Sequence, residues 1–222
     1  MTLVIFDCDG VLVDSEVLFN RIAAEEFTRC GVPMDTETAI SRFTGISAAD
    51  MVATIEAEIG KTIAADFAQS CRARVNEVFD AELEAVTGIE LVLADHAPHR
   101  CVASSSSPTR IRRSLRSTGL YRHFDTAAIF SAVIVENGKP APDLFLHAAK
   151  VMGASPAECI VVEDSQAGVQ AGVAAGMRVL GFVGASHIRN GHAEKLRAIG
   201  ADCIFDDMMA LPVLLEEIAE RY

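Results

Sequence analysis

The chain has 222 residues, 50% of them hydrophobic, with 19 Lys and Arg against 31 Asp and Glu for a net charge of −12. That composition is ample for a real core and excludes a disordered chain. The acidic balance, spread along the sequence, argues against nucleic acid or an anionic membrane surface as a partner and for a small molecule, whose phosphate would need local cations or a metal.

The apolar runs fall short of the roughly 20 residues that span a bilayer. Met1-Thr2-Leu3 leads straight into an apolar segment, so no signal peptide and a cytoplasmic location are expected. The six cysteines, at 8, 30, 71, 101, 159 and 203, match no zinc spacing. Cys8, Cys101 and Cys159 lie in or beside apolar runs, and reduced core thiols are expected.

The first predicted strand, Leu3 to Phe6, runs into Asp7-Cys8-Asp9-Gly10. Alternation along a strand puts Asp7 and Asp9 on one side and Cys8 on the other. A nucleophile with a general acid fits that pair, and so does an Asp-Gly turn closing a strand. More than ninety residues separate this run from the next, far beyond an ordinary crossover. Within them Leu18, Ile22 and Phe27, then Met51, Ile55 and Ile59, follow helical spacing, broken at Gly31-Val32-Pro33 and Gly60-Lys61-Thr62. About four helices are expected, forming a cap domain over 16–85 inserted into an α/β core domain of 1–15 and 86–222.

The strand Cys101 to Ala103 ends at Ser104, followed by Ser105, Ser106, Ser107 and a helix start at Pro108. That supplies a hydroxyl, several N–H groups and a helix N-terminus for an anion, although plain turn chemistry also accounts for it. A strand is expected over Ala127 to Phe130. Next, Gly138-Lys139-Pro140-Ala141-Pro142-Asp143 holds a lysine between stiffening prolines; a solvated loop lysine is the alternative. Ser155-Pro156 marks another helix start. The strand Cys159 to Val162 ends in Glu163-Asp164-Ser165, and the small-residue stretch Ala167 to Gly172 reads as a helix packed close to the sheet. Strands over Val179 to Val183 and Cys203 to Phe205 complete a Rossmann-like parallel sheet, with Gly119 and Gly176 where helices stop. Two charges 4 Å apart interact by about 4 kcal/mol at an effective dielectric near 20. Four converging carboxylates therefore call for a hard cation, and magnesium fits best.

In this order the four motifs resemble those of the haloacid dehalogenase superfamily, specifically its phosphatases with a helical cap, over essentially the whole chain. D-x-D-G is matched by Asp7 to Gly10, the Ser or Thr after the second strand by Ser104, the lysine by Lys139, and the acidic pair by Glu163-Asp164. The resemblance implies an HAD-like fold and a Mg2+-dependent phosphoric monoester hydrolase. It implies that Asp7 attacks phosphorus, that Asp9 serves as acid and then base, and that Ser104, Ser105 and Lys139 hold the phosphoryl oxygens. Asp7, Asp9 through its carbonyl, Glu163 and Asp164 would hold the metal. Dehalogenase members usually lack the second aspartate and the acidic pair; phosphonate-cleaving members use a cap lysine, and the lysine of this cap is Lys61, expected to be solvated.

Phosphosugar mutases of the β-phosphoglucomutase type share the cap, but they carry a histidine where this chain has Phe19-Asn20 and a cap arginine where it reads Thr44-Gly45-Ile46-Ser47. A phosphatase is therefore expected, most like the bacterial 6-phosphogluconate phosphatase branch, with a mutase or a non-catalytic phospho-ligand-binding protein as alternatives. Its partner would be a small phosphate ester, and the chain a monomer or weak homodimer. Cap residues Arg42, Gly45, and Arg72 or Arg74 are candidates for reading the substrate; solvated arginines are the alternative. His96, His99, His123, His147, His187 and His192 form no ligand spacing and are expected to be structural.

Overall fold

A computed structural model of the chain describes residues 2–44, 46, 48–97 and 99–220. Six strands, β1 (Leu3–Phe6), β2 (Arg100–Ser104), β3 (Ile129–Ser131), β4 (Cys159–Glu163), β5 (Arg178–Phe182) and β6 (Cys203–Phe205), form one parallel sheet in the order β3-β2-β1-β4-β5-β6. The direction of winding reverses between β1 and β4, which is where open α/β sheets leave a crevice at the carboxyl ends of their strands. Phe6 is in register with Val102 on one side and Val162 on the other. Asp7, Ala103 and Glu163 therefore stand level at the sheet's carboxyl edge.

The chain divides into two compact units, Met1–Asp14 with Glu84–Tyr222, and Ser15–Leu83. The sheet unit carries helices α5 (Ile89–Asp95), α6 (Pro108–Ser117), α7 (Asp143–Val151), α8 (Gln166–Ala174), α9 (His192–Ile199) and α10 (Leu211–Glu220). One face of the sheet, with Leu3, Ile5, Cys101, Val161 and Val179, packs on Leu144, Phe145, Ala148 and Val169. Small residues keep α8 close: a Cβ at Gly172 would stand 2.6 Å from a Val179 methyl. The segments Leu12 to Asp14 and Glu84 to Val86, where the insertion leaves and returns, are joined by an isolated antiparallel bridge at Val13 and Ala85, with Asp14 N–H to Glu84 O and Val86 N–H to Leu12 O, both 3.0 Å.

The inserted unit is helical, with α1 (Glu16–Arg29), α2 (Thr36–Phe43), α3 (Ala48–Ile59) and α4 (Phe67–Glu82) among the described residues. Its aromatic centre brings Phe27 to 4.6 Å from Phe67 and 6.1 Å from Phe43, ring centroid to centroid. Ile22, Phe27, Met51 and Ile55 are buried as their spacing predicts, whereas Ile59 is exposed. No helix among the described residues is long and apolar enough to cross a membrane.

Two local expectations are corrected. Pro156 opens only a single 3-10 turn, Pro156–Glu158, closed by a capping box between Ser155 and Glu158, because β4 begins at the next residue. The third strand starts at Ile129 and not Ala127, since Asp125 accepts from Ala127 N–H at 2.9 Å and draws 126–128 into a turn. All six cysteines lie outside any disulfide; Cys8, Cys71, Cys101 and Cys159 are buried, and burial pushes the Cys159 thiol up to about 11.

Candidate active site

Asp7 leaves β1 with its N–H bonded to Val162 O at 3.0 Å, which fixes its place between β2 and β4. The backbone then turns through Gly10 at φ +83°, where a Cβ would fall 2.0 Å from Asp164 Oδ2. Only glycine lets the first aspartate loop lie against the second acidic pair. Cys8 points into the core and is fully buried.

Lys139 reaches this edge from the proline-bounded loop before α7. Its ammonium donates to Asp7 Oδ1 at 2.6 Å, Glu163 Oε1 at 2.7 Å and Ala103 O at 2.9 Å, and it lies 4.8 Å from the centre of the Phe145 ring. All three ammonium hydrogens thus have an acceptor. The loop reading of a solvated lysine is excluded by its side chain being 4% exposed. Burial alone would push this ammonium down, but the charges of Asp7 and Glu163 outweigh it and hold it above its ordinary value.

Glu163 is wholly buried, and besides Lys139 it accepts from Ser165 N–H at 2.8 Å and Ser165 Oγ at 2.9 Å. Gly168 makes room for it, since a Cβ there would stand 1.7 Å from Glu163 Oε1. The carboxylate oxygens of Asp7, Glu163 and Asp164 lie within 4.8 Å of one another. Burial, and then repulsion from neighbouring carboxylates, pushes the Asp7 and Asp164 carboxyls well above their ordinary range. Three buried carboxylates against one ammonium leave two negative charges, so the donor set fits a hard divalent cation with oxygen ligands. Glu163, with both oxygens already engaged, organises Lys139 and the start of α8; Asp7 and Asp164 are the better-placed ligands.

Asp9 turns toward α6. Its Oδ2 accepts from Ser106 Oγ at 2.6 Å and its Oδ1 from the Arg110 guanidinium at 3.4 Å. Ser104 is buried at the end of β2 and its Oγ accepts from Ser106 N–H at 3.1 Å, while Ser131 Oγ donates to Ser106 O at 2.6 Å. The serine run is therefore a braced loop, with Ser105 exposed. Sequence reading passed over Ser106 and Arg110 individually; the available signal was a run of four serines and an arginine in the first turn of the helix they open.

Two of the histidines expected to be structural stand beside Asp164. His187 is buried with Nε2 3.0 Å from Asp164 Oδ2, and His192 Nε2 is 2.6 Å from Asp164 O. Neither is a core filler remote from the site. In the helical unit, Arg42 pairs with Glu58 and stacks 4.8 Å over Phe43, and Arg74 pairs with Glu25 and Glu26. Each arginine thus has an intra-unit role that accounts for it without a ligand. Arg72 and Lys61 are exposed, and Gly45 lies outside the described residues.

A sequence profile of the haloacid dehalogenase-like hydrolases matches residues 4–182, and the chain belongs to that family. It is similar to a 6-phosphogluconate phosphatase of Escherichia coli K12, with 36% identity over 185 residues covering 83% of each chain. A β-phosphoglucomutase of Mycobacterium bovis is 39% identical over 142 residues, 61% of this chain and 50% of that one. Among solved structures, a haloacid dehalogenase-like protein of unknown function from Agrobacterium tumefaciens superposes with a TM-score of 0.88 at 34% identity, over 99% of both chains.

Proposed function

We propose that the chain is a cytoplasmic, magnesium-dependent phosphatase of a small phosphorylated metabolite, a sugar or sugar-acid phosphate of the 6-phosphogluconate kind. Membership of a hydrolase family with phosphatase relatives makes phosphoric monoester hydrolysis the reaction class. The observation that carries the reading is the buried cluster in which Lys139 bridges Asp7 and Glu163 with Asp164 alongside. An ordinary turn or a core ion pair does not need three carboxylates around one lysine at the carboxyl edge of a sheet.

An Asp7 oxygen attacks phosphorus; the bond from Asp7 to phosphorus forms as the bond from phosphorus to the ester oxygen breaks. Asp9 delivers its proton to that leaving oxygen, then takes a proton from the water that attacks the aspartyl-phosphate, releasing inorganic phosphate and restoring Asp7. Lys139 fixes the Asp7 carboxylate for attack and offsets negative charge on the phosphoryl oxygens, while Ser104 and the N–H groups of the serine loop hold those oxygens. Asp7, Asp164 and the Asp9 carbonyl, with Glu163 beside them, would hold the cation, which supplies charge stabilisation at the phosphoryl group when bound. Asp9 has first to exchange its contacts with Ser106 and Arg110 for the leaving oxygen.

Phosphate release from a panel of sugar phosphates, sugar-acid phosphates and nucleotides tests the reading. Asp7→Asn should abolish turnover and Asp9→Asn should slow it by about 100-fold or more; full turnover in Asp7→Asn overturns the assignment. The mutase-like relative motivates a second reading, interconversion of sugar phosphate isomers dependent on a bisphosphate, which the same panel run with a sugar bisphosphate detects.

A further inference from the structure

The segment from Ser186 to His192, which follows β5 and runs into the first residue of α9, holds Asp164 at two points and Asp14 at one. Ser186 donates from Oγ to Asp14 Oδ1 at 2.7 Å, His187 meets Asp164 Oδ2 at 3.0 Å, and His192 meets Asp164 O at 2.6 Å. A carbonyl can only accept, so His192 Nε2 carries the hydrogen in that bond; an Asp164 carboxylate that holds a cation can likewise only accept, so His187 Nε2 donates to it in that state. One acidic residue is thus held by its side chain and by its main chain from two histidines five positions apart.

The His187 ring is packed against the Asp-Gly loop as well. Its Cε1 lies 3.0 Å from the place a Gly10 Cβ would occupy, beside the spot 2.0 Å from Asp164 Oδ2. The imidazole therefore stands beside both Gly10 and the Asp164 carboxylate, with its Nε2 on Asp164 Oδ2. Its ring nitrogen is not among the converging ligand atoms of Asp7, Glu163 and Asp164. Its geometry is that of a group that orients a ligand.

We propose that His187, assisted by His192, is a positioning residue that orients Asp164 toward the divalent cation. This rests on the reading above that Asp7 and Asp164 hold that cation. Hydrogen-bond partners of metal ligands contribute about 10–100-fold in metal affinity. A histidine that merely fills the core would alter stability and leave that affinity alone.

The test is the half-saturating Mg2+ concentration of the folded chain, fitted from how the unfolding temperature of the full chain rises with Mg2+, with Mn2+ binding followed by electron paramagnetic resonance as a direct count. His187→Leu keeps an apolar filling but has no donor, and its half-saturating concentration should rise about 10–100-fold. His187→Gln, whose amide can place a donor near the Nε2 position, should recover to within about 3-fold of the parent chain. Should His187→Leu fail to fold, His187→Asn, too short to reach Asp164 Oδ2, takes its place with the same expectation. A half-saturation within about 2-fold of the parent in the donor-free variant, whatever its unfolding temperature, overturns the inference and leaves the metal reading standing. No response of the parent chain to either cation overturns both.

Discussion

Removing the Lys139 ammonium while keeping its bulk, as in Lys139→Met, strips the charge that three buried carboxylates share. The two charged contacts are 2.6 and 2.7 Å long, so each carries about 6 kcal/mol of gross attraction at an effective dielectric near 20. Desolvation of the ammonium offsets much of that, and breaking a buried pair by deleting one partner costs about 3–5 kcal/mol net. For a chain of this size about 2–4 °C of unfolding temperature accompanies each kcal/mol, so the variant should melt roughly 6–20 °C below the parent at pH 7 in chelator-treated buffer. The stabilisation from Lys139, whose ammonium is held above its ordinary value, is complete below about pH 10. The orphaned Asp7 carboxyl, already raised by burial, is raised further once the lysine is gone. Its cost is full above that raised value and shrinks as pH drops below it, reaching zero at the unfolded value of about 3.9, so the gap between variant and parent should narrow on acidification. Thermal unfolding followed by circular dichroism measures both quantities. A variant melting within about 2 °C of the parent at pH 7, or a gap that widens on acidification, would refute the reasoning.

Gly168→Ala, which in an open helix would gain up to about 1 kcal/mol, should lose about 1–3 kcal/mol in urea unfolding and weaken phosphate release. Its Cβ would stand 1.7 Å from Glu163 Oε1 and would force Glu163 off Lys139. In the helical unit, burial pushes the Glu26 carboxyl up, but hydrogen bonds from Arg29, Ser70 and Arg74 outweigh it and hold the group below its usual range. The stabilisation is therefore present above the unfolded value of about 4.3 and is lost as pH falls through the lower folded value. Glu26→Gln should cost about 1–2 kcal/mol at pH 7, the low end because both arginines are part-exposed, and should flatten the acid limb of stability against pH.

The sheet and three of the motif positions were legible because the apolar runs are short and end at a polar or charged residue. Asp7, Ser104 and Glu163 sit at such ends, and strand alternation with strand order brings them to one edge. Lys139 was legible only through its prolines, since its three acceptors come from residues 7, 103 and 163. The parts that escaped are contacts without a spacing rule. His187 follows Asp164 by 23 positions and belongs to a different loop, so no local pattern joins them. Arg110 reads as one of four arginines on a basic helix until Asp9 is seen beside it. The helix expected at Pro156 failed because a serine before a proline marks the first turn of a helix without stating how many turns follow.

The segments that carry the chain out of the sheet unit at Asp14 and back at Glu84 are bonded to each other within that unit. The 69 residues between them thus form a closed excursion whose two ends are already adjacent, so its length and sequence can change without moving a strand of the sheet. The sheet unit and the excursion can then change on separate terms. Grafting the 15–83 segment of a relative between Asp14 and Glu84 is an exchange this architecture permits, and the sheet should keep its strand order and register through it.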